Sequence, residues 1–241
     1  MYDLTRFSLR DMTECGATLR KLGAGADNLE EVANRIVRYL FEQFTDKQTG
    51  EKSCVLVRFF KTHPFQGLDS RLCDVARRML GSIPERPDMK CLTLLATAGM
   101  RPQWNSRQQS VGHQAIPLAS PEMVIRFPMI SQLVQQFGLQ LSTVLQPAPE
   151  LLVDVHQRTF NVFHVEQAVG STFVPAQNEF VVPLGVQSVL GFGGMLPSGN
   201  LFAVILFSRV YIPRKTADLF KTLSLSVKAA LLPQAESTVF A

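Results

Sequence analysis

Apolar residues first recur at close to helical spacing, at Leu4, Phe7, Met12, Cys15, Leu19 and Leu22, until Gly23, Gly25 and Asp27 break the run. A second helix is predicted after Asn28. Glu31 stands three positions on, as in a capping box, and Leu29, Val32, Ile36, Leu40 and Phe44 follow on one face as far as the polar stretch Asp46 to Gly50. Cys54 to Phe60 reads as a strand ended by His63-Pro64, and Leu68 to Leu80 as a helix closed by Gly81. Cys91 to Ala98 is a second strand, expected beside the first. The most informative pattern comes late. Val186 to Met195 and Leu201 to Val210 are rich in β-branched and aromatic residues, and Pro197, Ser198, Gly199 and Asn200 separate them, which predicts a long antiparallel hairpin. After Pro213, Thr216, Phe220, Leu223, Val227 and Leu231 mark a closing amphipathic helix.

Between these ends the pattern loosens. Gly99 to Ser120 is polar and rich in glycine and proline and reads as a long loop; it holds Trp104, the only tryptophan. Ser120-Pro121-Glu122 starts helical segments that run to Gly138 with a break at Pro128. Leu139 to Leu145 is expected to be a short strand, Pro147-Ala148-Pro149 a connector, Thr159 to Val165 another short strand and Gly170 to Gln177 a loop.

Composition narrows the function classes. With 241 residues, 46% of them hydrophobic, the chain can bury a large core, and a formal charge of only +4 with scattered basic residues speaks against nucleic acid as partner. Cys15, Cys54, Cys73 and Cys91 form no CxxC pair and lie in apolar surroundings, as reduced buried cysteines do. Charges interrupt the first fifteen residues, and no apolar run approaches the roughly 20 residues that cross a bilayer. A cytoplasmic protein without membrane attachment is expected.

The order of elements, and above all SVLGFGGMLPSGNLFAVILFS at 188–208, resembles a GAF domain, a sensory relative of PAS, over roughly Leu29 to Leu232. The chain is also similar to the N-terminal regions of bacterial sensor kinases. The resemblance implies an α+β fold: an antiparallel sheet with terminal helices on one face and a ligand chamber, roofed by loops and short helices, on the other. It divides the chain into an N-terminal signalling or dimerisation helix at 1–27, a GAF-like domain at 28–232 and a tail at 233–241. The roof would be Trp104 to Phe137 and Asn161 to Phe180, with a floor near Phe192 and Gly194.

Subfamily chemistries find little purchase. Asn161 lacks the following lysine of cyclic-nucleotide GAF domains, and Asn178-Glu179-Phe180 is only superficially similar to their motif. No cysteine precedes a histidine and none follows Cys91, against covalent bilin attachment. GAF-type methionine sulfoxide reductases need paired cysteines above the pocket, and Cys73 and Cys91 lack neighbours that would activate a thiol. A non-enzyme is therefore expected, the alternative being a thiol-dependent reductase of the GAF type. The candidate ligand-binding residues are Trp104, Arg107, His113, Arg126, Asn161, His164, Phe192 and Gly194. The arginines would clamp an anionic group, and His113 or His164 would bond a polar ligand or serve as axial ligand to haem. Cofactor and ligand stay unidentified, and no metal site is expected. The resulting expectation is a signal-transduction sensor of the two-component kind, homodimeric, relaying small-molecule occupancy through its terminal helices to a histidine kinase or other output domain. The alternative is a ligand-free interaction or dimerisation scaffold.

Overall fold

In the computed structural model, which describes residues 1–145, 161–235 and 239–240, the apolar runs become strands of one antiparallel sheet. Its strands are β1 (Cys54–Pro64), β2 (Lys90–Gly99), β3 (Ala115–Pro117), β4 (Val162–Val165), β5 (Ser188–Met195) and β6 (Leu201–Ser208), laid side by side as β3-β2-β1-β6-β5-β4. The predicted hairpin is β5–β6, with Met195 opposite Leu201 and Ser188 opposite Ser208. Its closeness needs Gly193, where a Cβ would run into the backbone of Phe202 on β6. One irregularity matters for everything above the sheet. Phe59 pairs with Ala96 but Phe60 with Leu94, so Leu95 is an extra residue in β2, a bulge that exchanges the faces of the residues after it.

One face of the sheet is covered by α1 (Leu9–Lys21), α2 (Leu29–Gln43) and α7 (Arg214–Leu231). Asn28 caps α2, its side chain accepting from Glu31 N at 2.9 Å, while the Glu31 carboxylate accepts from Asp27 N rather than completing a box. The box is on α1 instead, where Ser8 and Asp11 cap each other, and the helix starts at Leu9 rather than at Leu4, where the apolar spacing begins. α1 lies along α7 so closely that a Cβ at Gly23 would strike the Ala230 carbonyl. Phe220 of α7 gathers Phe7, Phe44 and Phe192 around it with ring centres 5.2–5.8 Å apart. The apolar stripes of the two terminal helices are thus filled within the chain.

The opposite face is roofed by α4 (Pro121–Ile125), α5 (Pro128–Gln136), α6 (Leu141–Leu145) and the π-turn Gln177–Val181. Ser120 caps α4, and Pro128 opens α5, which makes the break expected there. Leu139 to Leu145, expected as a strand, holds α6 instead: Val144 packs into the roof core and Leu141 and Leu145 against it, burial that outweighs the strand propensity of so short an apolar run. The loop expected over Gly99 to Ser120 contains β3, which pairs with the first half of the β2 edge, at Cys91 to Thr93. A third helix, α3 (Ser70–Leu80), packs beside that edge on Cys91 and Met89. The Pro147–Pro149 connector, the start of the Thr159 strand and His156 lie outside the described residues.

Two lysines break the apolar pattern near the β5–β6 turn. Lys61 is 3% exposed and Lys90 8%; Lys61 Nζ donates to the Thr62 carbonyl at 3.1 Å and Lys90 Nζ to that of Gly199. Burial pulls both down to about 8, Lys90 adding to the effect on Lys61, and burial and then Lys61 pull nearby His63 down to about 4. Between about pH 8 and the ordinary 10.5 the unfolded chain binds more lysine protons than the folded one, so stability rises with pH through that window. Lys61→Met removes a buried charge of this kind. It is expected to raise stability at pH 7 by about 1–2 kcal/mol and to flatten the alkaline rise, as read from urea unfolding at pH 7 and 10; equal or lower stability at pH 7 contradicts the account.

Candidate functional site

Strand parity decides which of the expected residues can meet. Phe192 and Gly194 share their face with Leu190 and with Phe202 across the hairpin, all turned to the helices, and Phe192 is buried against Phe220. They do not form a chamber floor; the odd-numbered neighbours, Val189, Gly191 and Met195, face the roof. His164 is likewise paired with Leu190 on the helix side of edge strand β4, and its Nε2 donates to the Ile212 carbonyl at 3.0 Å. Burial first, and then Arg214, lower its pKa, while the Ile212 bond opposes them. Asn161 precedes β4, its carboxamide oxygen accepting from Val162 N at 2.9 Å, and Arg126 is exposed at the end of α4. Arg107 is engaged away from the chamber. Its Nε donates to Glu30 of α2 at 2.6 Å and its Nη1 to Asp69, the cap of α3, at 3.3 Å, with the Phe240 ring 4.9 Å from the guanidinium.

Trp104 and His113 do belong to the roof side. Trp104 sits under Arg101 and edge-on to Phe180, which in turn meets Phe207 of β6 at 5.1 Å. His113 stands edge-on to Phe127 at 6.1 Å, in a left-handed backbone conformation (φ 41°) that non-glycine residues seldom adopt. Burial and then the charge of Arg58 lower its pKa.

Arg58, absent from the expected set, organises this region. It rises from β1 on the roof face, between Leu56 and Phe60, and its Nη2 donates to Ser110 Oγ at 2.8 Å and to the Val111 carbonyl at 3.3 Å. Burial alone pulls its guanidinium down to about 10, so it stays charged at neutral pH with no described carboxylate to offset it. Its Nε is buried without an acceptor. Thr97, directly opposite on β2 and only 1% exposed, has a buried hydroxyl that is also without a partner. Two orphaned polar groups thus face the roof from adjacent strands.

The segment above them touches both layers. Ser110 and Val111 hold Arg58 on the roof face, Arg107 holds Glu30 in the helix layer, and Gln114 Nε2 ties the carbonyls of Arg107 and Ser110 together. Asn105 anchors the start of the segment by bonds in both directions with the backbone of Gly99, and its carbonyl accepts from Arg38 of α2. The loop therefore straddles the free half of the β2 edge.

Leu92, Leu118, Ile130, Val134, Leu141 and Leu201 surround a dry void of about 10 Å³, at the limit of one water molecule. A wider cleft of about 290 Å³ lies away from the roof, between the N-terminal segment and the turn after α2, lined by Asp3, Arg6, Asp46 and Lys47 among others. Cys73 and Cys91 sit between α3 and the sheet, where burial pushes Cys91 up to about 12 and Cys73 in the same direction, the reverse of what a thiolate nucleophile needs.

An antiparallel sheet with both terminal helices on one face and short helices roofing the other is the layering the sequence resemblance implied; the strand order β3-β2-β1-β6-β5-β4 is a finding of the structure. The fold is GAF-like. No family model matches the chain, and no curated protein does. Among solved structures, a free methionine-R-sulfoxide reductase from Neisseria meningitidis, in complex with its substrate, is 11% identical, with 95% of this chain and 97% of that one covered and a TM-score of 0.45. The GAF domain of a phosphoenolpyruvate-protein phosphotransferase from Coxiella burnetii is 13% identical, with 94% and 95% covered and a TM-score of 0.45. The phytochrome photosensory core module of Stigmatella aurantiaca is 11% identical, with 93% of this chain and 37% of that one covered and a TM-score of 0.41. At these identities none of those proteins' chemistry transfers to this chain. No helix of the described residues is long and apolar enough to cross a membrane.

Proposed function

We propose that the chain is a sensory or regulatory domain in which occupancy of the roof face around Arg58 is relayed to the helix layer. The observation that carries this reading is the straddling loop. It is bonded to Arg58 on one face of the sheet through Ser110 and Val111, and to Glu30 of α2 on the other through Arg107. A ligand that rearranges Ser110 and Val111 favours one loop arrangement over another, and the loop's hold on α2 changes with it. Relay then runs through α2 and the α1–α7 pair. A homodimer through the stripes of α1 and α7 has no support, because those stripes are filled within the chain.

The alternative, a ligand-free scaffold, is favoured by one observation, the nearly filled apolar part of the chamber. Native mass spectrometry of freshly purified protein, followed by hydrogen exchange with and without any retained or screened metabolite, separates the two. The sensor reading expects slowed exchange both in 105–114 and in α2 when a molecule is bound. A bound molecule that leaves α2 unchanged removes the relay, and a protein that retains nothing and responds to nothing in the screen is a scaffold.

A further inference from the structure

We infer that Arg58 and Thr97 form a seat for an oxyanion, the carboxylate or phosphate group of a small molecule; this rests on the sensor reading and names its ligand chemistry. The argument begins with the two orphaned groups. Arg58 Nε has no acceptor and the Thr97 hydroxyl no partner, although both are buried and their residues are directly paired across β1 and β2. Buried polar groups are nearly always satisfied, so two adjacent exceptions mark a place where something else supplies the bonds. The groups available are an N–H and an O–H donor, and the guanidinium brings a full positive charge without a described carboxylate beside it. That set calls for a negatively charged acceptor with two oxygens. A water molecule would satisfy the geometry and leave the charge uncompensated.

The loop over the seat is built to admit such a group. Val111, Gly112 and His113 are exposed at its tip, and Gly112 (φ 79°) and His113 (φ 41°) both adopt left-handed conformations there. Glycine takes this conformation without cost, whereas His113 is held in it by its surroundings, and such strain concentrates at ligand clamps. The Arg58–Val111 bond, at 3.3 Å, is the longer of the guanidinium's two, and an entering oxygen displaces it most readily.

Trp104, in the turn Pro102–Asn105 that leads into this loop, is a built-in reporter. Its fluorescence is titrated with sodium phosphate in one arm and sodium acetate in the other, at constant ionic strength. The expected result is a saturable change with at least one of the two, the responding arm identifying which oxyanion is preferred. Arg58→Gln should weaken that response at least about tenfold, and Thr97→Val, which keeps the shape and removes the hydroxyl, by several-fold. Thr97→Val also serves if Arg58→Gln does not fold. The seat is overturned if neither anion gives a saturable change, or if both variants bind as the parent does. The two proposals fail separately: saturable anion binding without slowed exchange in α2 removes the relay and keeps the seat, whereas slowed exchange caused by an uncharged metabolite keeps the relay and removes the seat.

Discussion

Phe192→Ala is expected to cost the fold about 4 kcal/mol and to leave oxyanion binding at Arg58 unchanged. The side chain is fully buried on the helix face, 5.2 Å ring to ring from Phe220, and Phe220 also supports Phe7 and Phe44. Truncation removes the packing of one aromatic ring and opens a cavity that these neighbours can only partly close. Urea unfolding measures the first half of the expectation, and the Trp104 titration the second. A variant with near-parent stability and altered anion binding would return Phe192 to the chamber floor and overturn the assignment of faces.

Arg107→Met should destabilise by about 3 kcal/mol, a large effect for a change in a loop. The guanidinium and the Glu30 carboxylate are 9% and 11% exposed as side chains, so the loss leaves a buried carboxylate without its 2.6 Å partner. Asp69 loses a weaker contact, and the cation over the Phe240 ring is gone as well. A cycle of Arg107→Met, Glu30→Gln and the double variant should show a coupling above about 1 kcal/mol. Additive losses would mean that the pair does not fasten loop to helix, and the proposed relay would lose its link to α2.

Much of the fold was legible because local and tertiary signals agreed. Asn28 and Ser120 each cap the helix that their position announces, and the break at Pro197 to Asn200 falls where β5 turns into β6. α6 reads as a strand in the sequence because so short a run as LSTVL fits a strand or a helix equally well, and only packing under the roof decides. The candidate site was harder to read for a specific reason. Counting alternate positions from Leu92 and Leu94 puts Ala96 on the roof face and Thr97 on the helix face; the bulge at Leu95 reverses this, and no residue type announces it. Arg58 lies within a strand read as core, and only the pairing of β1 with β2 shows that it rises beside Thr97. Arg107 was noticed for its charge, but its partners, Glu30 and Asp69, lie 77 and 38 residues away in sequence.

The straddling loop also sets a condition of symmetry on whatever binds this protein. Since one segment is fastened to β1 on one side of the sheet and to α2 on the other, the energy by which an anion alters the grip on Glu30 is the same energy by which anything held against α2 alters the affinity for the anion. Under the proposed relay, traffic across the β2 edge is two-way: a protein docked on the helix layer would tune what the roof binds.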